Sequence, residues 1–207
     1  MGTSSKAIHD ILFEVSCNQG GFFTAKQAIS AGYVDSVHAY HVTNGDWIKV
    51  YRGIYRLADF TPPERPELVI WSLWSRGHDD IPQGIYCRET ALAIHSLLAM
   101  DVNRFHMSVP NTFRRNSEIP SILTLYKENI ESEFVEKRQG FYVTSLNRTI
   151  SDMRSCTNPK ILDIIEQLDK KTAPISNGTI EYWEGPLFIP TWGEGRTFEE
   201  ALRAGED

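Results

Sequence analysis

The chain has 207 residues, of which 41% are hydrophobic and 23% charged, ordinary globular usage that excludes a collagen-like, fibrous or wholly disordered protein. Its net charge of −6 is uneven: residues 1–60 hold five Lys/Arg and five Asp/Glu, residues 61–172 hold 14 and 15, and residues 173–207 hold two and seven. The acidity is therefore mainly C-terminal, although a net of zero over the first sixty residues falls short of the basic footprint of a typical DNA-binding domain.

Residues 5–17 carry Ile8, Leu12 and Val15 at spacings of four and three, with Ile11 beside them, which predicts an amphipathic helix. Asn18-Gln19-Gly20-Gly21 ends it. Phe22-Phe23 is a short extended pair. Thr24 caps a second helix over 25–31, with Gln27 completing a capping box, and Gly32 stops it. Asp35 or Ser36 caps a third helix that runs to about Asn44 and closes at Gly45. Two strands follow, Trp47–Tyr51 and Ile54–Leu57, joined at Arg52-Gly53. Helix, strand, helix, tight turn, helix and ribbon in that order is the layout of a winged helix-turn-helix.

In such a unit the third helix enters the major groove and the ribbon lies along the backbone. Ser36, Ala39, Tyr40 and Thr43 would face outward, with Asn44 near the helix end. Val34, Val37 and His41 would face inward, and His38 would face solvent. The expected DNA-contacting set is Thr24, Ser36, His38, Tyr40, Thr43 and Asn44, with Lys49, Arg52 and Arg56 reaching phosphates from the ribbon. The third helix carries no Arg or Lys, the commonest readers of guanine, so base readout would rest on Tyr, Thr, Ser and Asn.

These residues resemble AbiEi-type antitoxins, transcriptional regulators of type IV toxin–antitoxin systems. One block is Gly21-Phe22-Phe23-Thr24-Ala25-Lys26-Gln27-Ala28, then Ala31-Gly32, then Asn44 through Arg56. A second is Cys87-Arg88-Glu89-Thr90-Ala91-Leu92-Ala93-Ile94-His95-Ser96-Leu97, where Ser96 stands at a position the family often fills with Gly. A third is Phe105-His106-Met107-Ser108-Val109-Pro110. A fourth is Gly140–Ser145, followed by Arg148-Thr149 and Asp152. The blocks run in order from about residue 20 to 153. Where the family often has basic residues before the Gly that ends the third helix, this chain has Thr43 and Asn44. The resemblance implies a DNA-binding autorepressor and antitoxin. It would bind an inverted repeat in its promoter, as a dimer where the half-sites are related by two-fold symmetry, and counter a nucleotidyltransferase-like toxin without a stable complex.

Pro62, Pro63 and Pro66 mark a stiff linker, which separates a 1–60 domain from a 67–172 domain. Glu67–Ser75 is predicted helical, with Leu68, Trp71 and Trp74 inward. Glu89–Leu98 is a second helix, and Phe105–Val109, Ile122–Tyr126 and Tyr142–Thr144 are strands. Ser145 caps a helix to about Met153, and Pro159–Lys171 is amphipathic through Ile161, Ile164, Ile165 and Leu168. The fold class is α+β: a winged helix-turn-helix followed by a mixed helix/strand domain.

Polar candidates in this second domain are Arg88, Glu89, His95, His106, Arg148 and Asp152. Arg148 and Asp152 are four apart and read as a local ion pair, and Glu89 sits where a helix dipole favours a carboxylate. Glu131, Glu133 and Lys137 read as a solvated face. His38 and His41 lack the companions of a zinc site. No GxSxG, Walker, HExxH or dinucleotide motif is present. No catalytic set, metal or cofactor is therefore expected. The alternatives are a protein-interaction module with a winged helix that does not bind DNA, and a metal-dependent nuclease using the 88–152 region.

No run approaches 18 apolar residues, and no secretory leader or myristoylation pattern is visible, the latter failing at Lys6. Cys17, Cys87 and Cys156 form no CxxC pair, which points to reduced, buried thiols and a cytoplasmic location. Residues 173–207 alternate Gly, Pro and aromatics and are expected to pack on the body, ending in a short acidic helix near 197–204.

Overall fold

The computed structural model describes residues 5–172, and the expectations for 173–207 lie outside them. The described residues form a mixed α+β fold of seven α-helices and two sheets. None of these helices is long and apolar enough to cross a membrane.

Helix α1 (Ser5–Cys17) leads through Asn18–Gly21 into strand β1 (Phe22–Thr24) and helix α2 (Ala25–Ala31). The α2 capping box is complete: Thr24 accepts from the Gln27 N–H, and Gln27 accepts from the Thr24 N–H. A 3-10 turn (Asp35–Val37) leads into helix α3 (His38–Asn44). The predicted cap at Asp35 or Ser36 is not made. The Asp35 carboxylate instead lies 3.4 Å from His38 Nδ1, and no side chain caps α3. Gly45, at φ 84°, ends α3 in the left-handed conformation that lets the Asp46 N–H reach the His41 carbonyl.

Strands β2 (Trp47–Tyr51) and β3 (Ile54–Leu57) complete a three-stranded sheet in the order β1-β3-β2. Its core is Leu12, Phe23, Ala28, Ala31, Trp47 and Leu57. Trp47 is the centre of an aromatic cluster, with the rings of Phe23, Tyr33, His38, His41 and Tyr55 all within 5.7 Å centroid to centroid. Ile11, by contrast, is 45% exposed, so the α1 stripe is narrower than its sequence pattern.

Helix α4 (Pro66–Trp74) is apolar all round, and every residue from Glu67 to Trp74 is buried. It packs on β1 and β3 of the first sheet and on the strand Phe141–Thr144 of the second. The described chain on either side of the proline-rich stretch is thus joined within one compact unit that runs to Lys171. Glu67, 1% exposed, is the charged exception, since neither carboxylate oxygen bonds another residue.

The second sheet has the order β6-β5-β4-β8-β7. Its strands are β4 (Ile85–Tyr86), β5 (Phe105–Val109), β6 (Leu123–Lys127), β7 (Val135–Arg138) and β8 (Phe141–Thr144). The two-residue β4 is too short to leave a sequence pattern, yet it holds the centre, antiparallel to β5 and parallel to β8. Helix α5 (Arg88–Ile94) is shorter than the predicted 89–98. It ends because Ser96 adopts φ 62°, and the Ser96 and Leu97 N–H groups bond back to Ala93 and Leu92. Helices α6 (Leu146–Met153) and α7 (Pro159–Thr172) follow, with Ser145 capping α6. Leu92, Met153, Ile161 and Ile165 form the core between α5, α6 and α7.

Candidate nucleic-acid interface

Helix α3 packs on β2 and on the turn before it, which leaves its other face uncovered. Ser36, Tyr40 and Thr43, four and three residues apart, are all exposed there, Tyr40 at 63%. The Thr43 hydroxyl donates to the Ala39 carbonyl, which leaves its oxygen lone pairs toward solvent. Asn44 is exposed and donates to Asp46 Oδ1 at 3.0 Å. Asp46 also accepts from His41 Nδ1 at 2.9 Å, a contact that holds its carboxyl below the usual range.

Three residues of the predicted set sit differently. His38 is buried at 5% exposure, its ring against Trp47 and Tyr55, so it does not face solvent. Burial pushes its pKa down against the opposing pull of Asp35, so the imidazole is neutral at pH 7. The helix runs out of a 3-10 turn, and this rotates His38 inward while leaving Val34, expected inward, 64% exposed. His41, expected to be packed, is half-buried at the edge of the Trp47 cluster. Thr24 is buried and its hydroxyl is committed to the α2 cap. Arg56 is half-buried and donates to the carbonyls of Leu57 and Phe60, which fastens the chain as it leaves the ribbon.

The ribbon cations do not form one row. Lys49 is opposite Tyr55, on the face that carries Trp47 and Leu57, whereas Arg56 is opposite Ile48 on the other face. Arg52 lies at the turn, exposed, with no hydrogen bond or ion pair to any described residue. Arg52 and Lys49 are therefore the ribbon charges free to meet phosphate.

The second region assembles its predicted residues in a different manner. Strand β5 places His106 and Ser108 on one face, and β6, in parallel register, places Tyr126 beside them, with Glu128 just past its end. His106 Nδ1 lies 2.9 Å from the Tyr126 hydroxyl, and its Nε2 lies 3.6 Å from Glu89. Burial lowers the His106 pKa against the pull of Glu89, leaving a neutral ring at pH 7. The Arg88 guanidinium stacks 4.0 Å from the centre of the Tyr126 ring, from a backbone with φ 53°. Ser108 donates to Glu128, whose other oxygen is 3.5 Å from Arg148. Arg148 Nε donates to both Asp152 oxygens, at 2.8 and 3.0 Å, so the i,i+4 pair read from the sequence is made. His95 bonds the Thr144 carbonyl at 2.8 Å.

All six polar candidates of this region thus meet a protein partner. Burial lifts the adjacent Cys87 thiol to about 12, so no thiolate nucleophile forms there at neutral pH. Cys87 is buried as expected, whereas Cys17 and Cys156 are partly exposed. Glu131 and Glu133 are exposed beside β7, as is Lys137 on it, and no three His, Cys, Asp or Glu among the described residues form a metal-binding group. Tyr126, Ser108 and Glu128 escape a sequence reading that ranks residues by motif. Their signal was the polar alternation on two apolar strands, His106-x-Ser108 and Tyr126-x-Glu128.

No family model matches the chain, and no curated protein matches it.

Proposed function

We propose that residues 1–60 form a winged helix-turn-helix that binds duplex DNA, and that the chain is an autorepressor and antitoxin of a type IV toxin–antitoxin system. The observation that carries the DNA-binding reading is the uncovered face of α3, with Tyr40 at 63% exposure above a sheet of order β1-β3-β2. That helix lies against a two-stranded ribbon whose turn presents an unpaired Arg52. Tyr40, Thr43, Ser36 and Asn44 would read base edges, and Lys49 and Arg52 would neutralise phosphates. Two protomers would bind the two halves of an inverted repeat in the promoter. The antitoxin half of the reading rests on the resemblance to AbiEi-type proteins. A nucleotidyltransferase-like toxin encoded alongside is its target, countered in the cytoplasm without a stable complex.

Fluorescence anisotropy against the chain's own upstream DNA and a scrambled duplex, at about 50 and 200 mM salt, tests this reading. Tighter, salt-dependent binding to the native sequence is expected. Equal affinity for both duplexes would remove the repressor role.

A protein-interaction module is the second reading, favoured by one observation. Val34 and Tyr40 leave apolar surface on the α3 side at 64% and 63% exposure, with no Lys or Arg on the helix. Absence of binding to either duplex would select it.

A further inference from the structure

We propose that the DNA-binding surface extends beyond the first sixty residues, into a groove where the loop 110–118 carries a second set of phosphate contacts. The inference rests on the DNA-binding reading above and deepens it. The groove encloses about 1290 Å³. One wall is the start of α2 and the ribbon turn, with Lys26 and Arg52. The other is the end of α4 and two loops, with Arg76, Arg114 and Arg115. Five Lys/Arg therefore line it against three acids, Asp79, Asp80 and Glu118, in a chain whose acids outnumber its bases 27 to 21.

The partners of these cations decide what the groove can hold. Arg76 is committed to the protein, donating to the Asp80 carbonyl and to Gln19, with the Asp80 carboxylate 3.3 Å away. The other four behave differently. Lys26, Arg52, Arg114 and Arg115 are all exposed, and none forms an ion pair with a carboxylate among the described residues. Where they bond at all, they bond backbone carbonyls: Lys26 to His78, Arg114 to Asn111 and Phe113, and Arg115 to Arg76. Such bonds aim the side chains and leave their charge uncompensated. Arg115 is also held 5.0 Å over the Trp74 ring, which ties the loop to the end of α4. The Trp74 ring is buried beneath it, and Tyr51 and His78 line the groove beside the cations.

A concave surface that gathers uncompensated guanidinium groups suits a sugar–phosphate backbone. The groove begins at Arg52, the residue that the ribbon presents to DNA. A duplex held by α3 and the ribbon would meet Arg114 on the same electropositive surface. This supplies cations that α3 itself lacks, and explains how a sixty-residue unit of zero net charge could hold a polyanion.

The test is the salt dependence of duplex binding by the full chain. Arg114→Gln, Arg114→Glu and Lys26→Gln are compared with Arg52→Ala, on native and scrambled DNA. Each lost phosphate contact should reduce the slope of log K against log salt by about 0.9, equally for both sequences. The expected result is a reduced slope for the Arg114 variants, largest for Arg114→Glu, with unchanged preference for the native duplex. If Arg52→Ala lowers the slope and both Arg114 variants leave it unchanged, the extended surface is overturned and the DNA-binding reading stands. If the unsubstituted chain binds neither duplex, both are overturned. Unfolding curves in parallel show whether a variant is folded. Lys26→Gln, which removes a single exposed bond, keeps the groove under test should the loop variants unfold.

Discussion

The α3–ribbon surface and the β5–β6 surface carry similar numbers of polar side chains and use them in opposite ways. On the first, Ser36, Tyr40, Lys49 and Arg52 face solvent, and Arg52 has no partner. On the second, Arg88, Glu89, Arg148 and Asp152 each meet a protein group, in two chains that run Glu89–His106–Tyr126–Arg88 and Ser108–Glu128–Arg148–Asp152. Residue type alone does not tell the two situations apart. Satisfied polar groups fix a structure, whereas unsatisfied exposed ones are available to a ligand. Under the proposed reading the first surface is the one that recognises a ligand, while the second holds its polar groups mostly against one another.

The largest expected effect is on the second surface. Arg148→Ala removes the counter-charge shared by Glu128 and Asp152, whose side chains are 31% and 21% exposed. Stranding two half-buried carboxylates should cost about 2 kcal/mol of unfolding free energy, read by urea denaturation, at unchanged DNA affinity. A loss below about 0.5 kcal/mol would show that water already satisfies these groups.

Glu67 sharpens the same contrast, because it is buried and no other residue hydrogen-bonds its carboxylate. Burial raises its pKa, with its own N–H and Arg65 partly offsetting. The native state then holds the proton more tightly than the unfolded chain does. Stability from this group is complete below the unfolded value of about 4.3 and is lost as pH rises through the raised native value. Glu67→Gln should flatten that decline, and Glu67→Leu should raise stability at pH 8 by about 1–2 kcal/mol. A steeper decline in either variant would contradict the assignment.

Ser96 and Gly45 occupy equivalent positions after α5 and α3, both with positive φ. Only Gly adopts that conformation freely. Ser96→Gly should therefore stabilise the chain by about 1 kcal/mol in thermal unfolding, and Gly45→Ala should destabilise it by a similar amount. On the recognition side, Tyr40→Ala should reduce the preference for native over scrambled DNA by about 1 kcal/mol and leave stability unchanged. A uniform loss on both duplexes would place Tyr40 on the backbone instead of the bases.

Much of the fold was legible in the sequence, for identifiable reasons. The capping box Thr24–Gln27 and the caps Gly32, Gly45 and Ser145 set the bounds of α2, α3 and α6 within a residue or two. Strands β2, β3 and β5 are legible at their observed ends because each is a run rich in aromatic and aliphatic residues bounded by turn residues. Two strands were missed. β4 has two residues, too few for a period, and β7 is the charged run Val135–Arg138, whose polarity suits an edge strand as well as a solvated face. Helix α5 was drawn too long because Ser96 is an unusual stop. His38 was turned outward because a helix was counted from Asp35, and the 3-10 turn changes the phase of everything after it.

The candidate interface was legible where it depends on exposure at helical spacing, as with Tyr40 and Thr43. It was not legible where a side chain turns back on its own backbone, as with Arg56. Nor could the sequence bring Arg114 and Lys26, 88 residues apart in number, to one groove.

The division of labour between the two surfaces is tested most directly by one paired measurement. DNA affinity and unfolding free energy are determined together for Arg52→Ala and Arg148→Ala. The account predicts that Arg52→Ala weakens binding to every duplex and leaves stability unchanged, while Arg148→Ala lowers stability and leaves affinity unchanged. The reverse pattern, in which Arg148→Ala abolishes binding at full stability and Arg52→Ala does nothing, would contradict it.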